Sequence, residues 1–340
     1  MPSNEHAPMS NEFELWTFVH ARLQAREPVM LLVVAESSGS SPGRAGYKMA
    51  IGADGELCGS VGGGVMEVSL VEHAKVKSKK AKGKSESTIR NAQSAIQEQI
   101  HQKDSPNSSG MICSGKQTVI FRLLTPNDVG TVDSIIESLA NRTDTFLTIT
   151  SNVLKLGPTK VGTPNATFEK LTETDFEYVE KLGFKNDLYI IGGGHCALAL
   201  SELMSKMDFH ISIFDDRPEL NTIEKNRFAH EIDIIDSYEN IGESIRVGDN
   251  TYVVVMTLGY ISDAIVMRQL INRDLKYFGV LGSKAKMATL LKELKSEGFA
   301  AERLDRIHTP IGLPINSRTP EEIAVSIAAE IIGVKNQNQE

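Results

Sequence analysis

Over residues 187–281 short apolar runs alternate with helix-length stretches, and the first turn between them holds three consecutive glycines. The runs fall at 188–191, 211–214, 232–235, 252–256 and 277–281. Strands separated by helices require βαβ crossovers, and these build a parallel sheet covered on both faces. Few folds satisfy that constraint. The expectation is an α/β chain whose C-terminal part is a Rossmann-like doubly wound parallel sheet.

The glycine turn reads Gly192-Gly193-Gly194-His195-Cys196-Ala197 and fits GxGxxG/A. The first glycine permits a tight turn, the second a close approach of backbone to phosphate, and the final small residue the packing of helix on strand. A helix start adds partial positive charge at the same place. Asp215 closes the second strand where an acid accepts from a ribose hydroxyl. Asp216 and Arg217 follow it. The motif identifies a seat for an anion and does not choose the ligand. His195 reads either as a ligand contact or as a helix-start histidine facing solvent. Cys196 reads as a small packed side chain.

Ligands of open α/β sheets bind outside the carboxyl ends of the strands. Thr257 follows the fourth strand there, and Gly282-Ser283-Lys284 follows the fifth. The latter triplet suits a second phosphate contact or a plain serine-capped helix start. Near the C-terminus Thr319, Pro320 and Glu322 spell a capping box with proline at the first helical position.

The N-terminal part reads as mixed α/β. A helix capped by Ser10 or Asn11 carries Leu15, Trp16, Val19 and Leu23 on one face. Residues 29–35 form a buried strand. Asp54-Gly55 turns a hairpin, and a helix begins near Val65. Two segments rich in small residues flank the hairpin. The first carries Ser41, Arg44 and Lys48; the second carries Gly62, Gly63 and Gly64 followed by Glu67. Three glycines before a helix make a backbone nest suited to an anion, or a close-packed turn. Cys113, beside Gly115 and Lys116, could be activated as a thiolate or be a buried structural thiol. The domain boundaries expected are 11–125 for the N-terminal domain, 126–186 for its tail and a connector, and 187–336 for the Rossmann-like domain.

Composition excludes some functions. A formal net charge of −8 argues against nucleic acid as a main partner. Three scattered cysteines fit a reducing, cytoplasmic setting rather than a disulfide framework. No apolar run reaches the ~18 residues of a membrane helix, so no membrane insertion is expected, and the first residues lack a secretory leader. Histidines do not cluster with acids at metal-ligand spacing, so no resident metal is expected.

These residues together resemble the xanthine dehydrogenase accessory factor family of the XdhC/CoxI type. The N-terminal resemblance lies in GSSPGRAGYKM and DGELCGSVGGGVME. The C-terminal one lies in GGGHCALAL, DDR, VVVMT, GVLGSKAKM and RIHTPIGLPINSRTPEEIAVSIAAEI. The resemblance implies a non-catalytic chaperone that binds the molybdenum cofactor (molybdopterin). Such a chaperone assists sulfuration of the cofactor and its insertion into a xanthine dehydrogenase or carbon monoxide dehydrogenase type hydroxylase. It also implies a molybdenum hydroxylase client, a cysteine desulfurase as sulfur donor and a homodimer. Asp215, Asp216 and Arg217 would then read the distal part of the ligand. Two positions depart from the family pattern: Thr257-Leu258 where many members have Thr-His, and Cys113-Ser114-Gly115 where many have Cys-Gly-Gly. The alternative reading is an NAD(P)-dependent oxidoreductase, since Asp215 also suits the free ribose of NAD. A third is an interaction protein on a Rossmann scaffold.

Overall fold

The computed structural model describes residues 10–81, 95–100, 115–158, 164–172 and 174–337. Contacts divide the chain into two units, with the boundary between Gly183 and Phe184.

The N-terminal unit opens with α1 (Asn11–Gln24), whose start is capped by Ser10: its hydroxyl accepts from the Phe13 N–H at 3.2 Å. The unit's first sheet contains β1 (Val29–Gly39), β2 (Lys48–Ile51) and β3 (Leu57–Gly59). After α2 (Gly64–Ala81) come β4 (Ala95–Ile100) and β5 (Gly115–Leu124), and the five strands pair antiparallel in the order β3-β2-β1-β5-β4. β1 shows why its sequence lacks alternation. Val29, Leu31 and Val33 face the core that holds α1, while Met30, Leu32 and Val34 face the core that holds Leu70 and Ala74 of α2. The hairpin turns at Asp54-Gly55 as expected, with Gly55 at φ +94°.

Next come α3 (Val129–Ala140), β6 (Thr145–Thr150), β7 (Leu154–Pro158), β8 (Ala166–Lys170) and β9 (Phe176–Lys181). The strands form an antiparallel sheet in the order β7-β6-β9-β8. The sequence predicts only turns and polar chain after Thr150. β7, β8 and β9 arise instead because one face of this sheet is apolar: Leu154, Phe176 and Tyr178 enter the same core as α1 and β1. Their outward residues are polar, and that hid them.

The C-terminal unit contains β10 (Asn186–Ile191), α4 (His195–Met204), β11 (Phe209–Asp215) and β12 (Glu231–Ile234). It continues with β13 (Gly248–Val255), α5 (Tyr260–Leu270), β14 (Leu275–Val280), α6 (Lys284–Ser296) and α7 (Pro320–Asn336). The strands are all parallel, in the order β12-β11-β10-β13-β14. Alternate residues of β10 feed two cores. Leu188 and Ile190 pack with Leu200 of α4 and Ile327 of α7; Tyr189 and Ile191 pack with Met267 of α5 and Leu290 of α6. This is the doubly wound sheet that the sequence predicts. The expected capping box at Thr319 and Glu322 starts α7. Strand order reverses between β10 and β13, so the ligand crevice of such a sheet opens at their carboxyl ends.

Candidate functional site

The crevice is built first from the glycine turn. Gly192 sits at φ +107°, and a Cβ there would lie 2.4 Å from the Met256 carbonyl oxygen. Only glycine lets β10 turn this close to β13. Gly193 lies against Ile223, and a Cβ would come within 2.7 Å of it. Gly194 differs. Its backbone is extended at φ −71°, and nothing lies within 4 Å of where its Cβ would be. Immediately after it α4 begins with the exposed His195. The first-turn N–H groups of a helix have no partner inside it and point outward with partial positive charge. Open space over Gly194 thus lies in front of the donors at the start of α4.

Asp215 is fully buried and already engaged. Its Oδ1 accepts from the Arg217 backbone N–H at 2.9 Å and from Arg217 Nε at 2.8 Å. Its Oδ2 accepts from Arg217 Nη2 and from the Gly193 N–H, both at 2.6 Å. Burial pushes the Asp215 carboxyl up, but the bonds from Arg217 and Gly193 outweigh it and hold the group below the usual carboxylate range. Its stabilising effect is therefore complete at neutral pH and fades only as pH falls below about 3.9. Asp216 is exposed and accepts from the Tyr238 hydroxyl at 3.3 Å.

On the other side of the crevice the Thr257 hydroxyl donates to Asp263 Oδ1 at 2.5 Å, and Lys286 Nζ donates to Asp263 Oδ2 at 2.5 Å. Asp263 is fully buried on α5. Ser283 caps α6 by accepting from the Lys286 N–H at 3.2 Å. Gly282 lies against Met287, and Lys284 is exposed. The fifth strand thus ends in a serine-capped helix start, and Lys286 is the lysine that joins Thr257 through Asp263.

In the N-terminal unit the small-residue loops stitch to each other. A Cβ on Gly43 would lie 2.2 Å from the Val61 carbonyl oxygen, and one on Gly115 would lie 2.6 Å from the Ser41 nitrogen. Ser41 is buried, and its hydroxyl donates to Gln117 Oε1 at 2.9 Å; Gln117 Nε2 in turn donates to the Val61 carbonyl at 3.0 Å. Arg44 is exposed, and its guanidinium donates to the Gly39 carbonyl at 3.3 Å. Gly62, Gly63 and Gly64 take φ values of +124°, +75° and +69°, the left-handed region that a nest needs. The nest holds an anion from its own chain. Glu67 Oε2 accepts from the Val61 and Gly63 N–H groups at 3.0 Å and from the Ser60 hydroxyl at 2.6 Å. Burial raises the Glu67 carboxyl, but these three bonds prevail and lower it. Cys113 lies outside the described residues.

The description "XdhC Rossmann domain" matches residues 188–331, and "XdhC and CoxI family" matches residues 22–83. The chain belongs to the XdhC and CoxI family. It is similar to the uncharacterized protein YqeB of Escherichia coli K12, with 28% identity over 161 residues, or 47% of this chain and 29% of that protein. It is also similar to a probable xanthine dehydrogenase subunit of Bacillus subtilis 168, with 26% identity over 166 residues, or 48% of each. These matches span less than half the length of either curated relative. A crystal structure titled as a xanthine dehydrogenase from Bacillus halodurans shares the fold, with a TM-score of 0.69 over 97% of both chains at 22% identity.

Within this XdhC Rossmann domain, sequence reasoning missed Asp263 and Lys286. Neither belongs to the glycine motif, and their pairing joins two different helices across 23 residues. The offset of α6 gave one clue: a lysine two positions after Lys284 turns to the side of the helix that faces α5. Among the described residues of this XdhC and CoxI chain, no group of three His, Cys, Asp or Glu side chains is placed to hold a metal ion. No described helix is long and apolar enough to cross a membrane.

Arg217 also makes a prediction. A ribose diol needs a free carboxylate oxygen at the end of the second strand, and here both oxygens of Asp215 are taken. Arg217→Ala should remove the guanidinium from both oxygens, leaving each only a backbone N–H partner, and raise affinity for NAD by roughly fivefold, for about 1 kcal/mol of regained hydrogen bonding. Isothermal titration of both proteins with NAD measures it; lower affinity in the variant would show that Arg217 itself holds the nucleotide.

Proposed function

We propose that this chain serves a xanthine dehydrogenase type hydroxylase as an accessory protein, and that its Rossmann domain holds the molybdenum cofactor by its phosphate end. The observation that carries this is the open space over Gly194 at the start of α4, set in an XdhC Rossmann domain. The donor set fits a phosphate monoester: outward N–H groups at a helix start, with no side chain filling the space in front. Lys286, steadied by Asp263, adds a cation on the β14 side of the same crevice. When bound, the cofactor supplies molybdenum redox chemistry that belongs to the client enzyme. Gly194 and the first turn of α4 hold the anion, Asp215 and Arg217 keep the turn in shape, and Asp216 and His195 lie exposed beside the seat.

The crevice lacks the features of a hydride-transfer site. Among the described residues its two buried acids, Asp215 and Asp263, are each tied to a cation. Leu258, at the place where a histidine proton donor would stand, is 81% exposed. This favours holding over catalysis. Sulfuration with a cysteine desulfurase as sulfur donor, and a homodimeric state, belong to the same proposal and follow from the family resemblance.

The test is equilibrium binding of molybdenum cofactor to the purified protein under anaerobic conditions, with NAD as competitor. Saturable binding that NAD does not displace is the expected result. No binding of the cofactor, with NAD bound in its place, would remove the proposal and direct work to a hydride-transfer substrate.

A further inference from the structure

A basic cavity lies at the opposite end of the C-terminal sheet from the glycine turn. Its volume is about 310 Å³, and it opens beside the amino-terminal half of β14. Arg273, Lys276, Arg303 and Arg306 line it, over an apolar floor that includes Ile271 and Phe278. Among the described residues that line it, the only carboxylate is that of Asp305.

The charge in this cavity is poorly compensated. Arg273 donates to two backbone carbonyls, those of Gly242 and Ile245, and so keeps its full charge. Arg303 pairs at 2.9 Å with Asp274, whose side chain is 80% exposed and screens weakly. Neither Lys276 nor Arg306 makes a hydrogen bond or ion pair among the described residues, although Lys276 is half-buried. Cations without a counter-ion repel one another, and on a chain of net charge −8 this concentration of cations runs against the global balance. Arginine forks and a lysine point charge converging on one cavity match phosphoryl oxygens.

The cavity is separate from the glycine turn. Glu321, at the start of α7, interacts with His195 at the crevice mouth. Val334, on the same helix, lines the cavity. More than three helical turns separate them, roughly 20 Å along the axis at 1.5 Å per residue. The string RIHTPIGLPI also gains a place here: its Arg306 lines the cavity, and His308 reaches it from a bridge to Gly279 at the edge of β14.

We propose that this cavity binds a small molecule bearing a pyrophosphate or polyphosphate group, with its less polar part on the Ile271 and Phe278 floor. The proposal does not depend on the cofactor reading above. The probe is inorganic pyrophosphate, titrated calorimetrically into the full chain, the Gly194→Val variant and the Lys276→Met/Arg306→Met double variant. The expected result is saturable binding that Gly194→Val retains and the double variant weakens about tenfold or more, with the salt dependence of a charge-assisted site. The double variant should hold molybdenum cofactor as the parent does. Absence of saturable binding overturns the proposal. So does equal affinity in the double variant, and so does loss of pyrophosphate binding in Gly194→Val alone, which would place the anion at the glycine turn.

Discussion

Gly194→Val should give a protein that folds normally and fails to hold the molybdenum cofactor, whereas Gly192→Ala should lose stability. The two glycines are close in sequence and differ in role. At Gly192 the backbone is at φ +107°, and an added Cβ would strike the backbone of Met256 at 2.4 Å. Backbone cannot step aside as a side-chain tip can. Left-handed strain and the clash together should cost about 3 kcal/mol, a fall in Tm of roughly 10 °C for a domain of this size. At Gly194, φ is −71° and the space is open, so valine fits and loses little beyond a weaker helix cap. Its methyl groups then stand where the anion belongs. A loss of cofactor affinity of about 100-fold corresponds to two charge-assisted hydrogen bonds. Thermal unfolding and cofactor titration on both variants separate the effects. Normal cofactor affinity in a folded Gly194→Val protein would remove the turn from the site.

The largest expected loss of stability lies in the other unit. Lys48 is buried, with 7% of its side chain exposed, and its ammonium stands 2.8 Å from both Glu12 and Glu180. Glu180 also accepts from the Tyr178 hydroxyl at 3.0 Å, and Glu12 accepts from the Gly183 N–H at 2.8 Å. The cluster ties β2 to α1 and β9. Burial lowers the Lys48 pKa, but the two carboxylates prevail and raise it, so the charge persists through neutral pH. With the folded pKa raised, the stabilisation is full below about pH 10.4 and is lost only as pH climbs past the folded value. Lys48→Met strands two carboxylates in the interior and should cost about 3–5 kcal/mol. Adding Glu12→Gln and Glu180→Gln should recover much of that. Urea unfolding midpoints test both statements; a Lys48→Met protein as stable as the parent would show that the cluster is wet and weak.

Sequence disclosed the features that act locally. A strand buried on both faces, such as β10 or β13, must be an unbroken apolar run. A turn such as that at Gly192 must use glycine, whatever lies elsewhere in the chain. Lys48 was visible as a charge in a glycine-rich segment, but its role depends on Glu180, 132 residues away. No local pattern carries that information. Thr257, Asp263 and Lys286 illustrate the same limit on a shorter scale, since two helices must first be placed by the sheet before the lysine finds its acid. β7, β8 and β9 were hidden for a different reason: their exposed residues dominate their composition, and only a few inward side chains record the sheet. The sequence reads Ser41 as a contact for the cofactor, yet its side chain is buried and bonded to Gln117, and its loop is packed against two others at Gly43 and Gly115.

The Glu67 carboxylate gives the N-terminal glycine loop a tethered ligand. It is attached four residues after Gly63, on the helix that the loop itself begins. A group held on so short a tether competes at an effective concentration in the millimolar range or higher. A free carboxylate or phosphate would have to exceed that level before it displaced Glu67, and would leave a severed internal bond as the cost. The three glycines therefore operate as a latch closed from within. Their anion selectivity is spent on fixing the loop against α2, and a search for ligand sites by glycine pattern alone would count this loop and the Gly194 seat as equals.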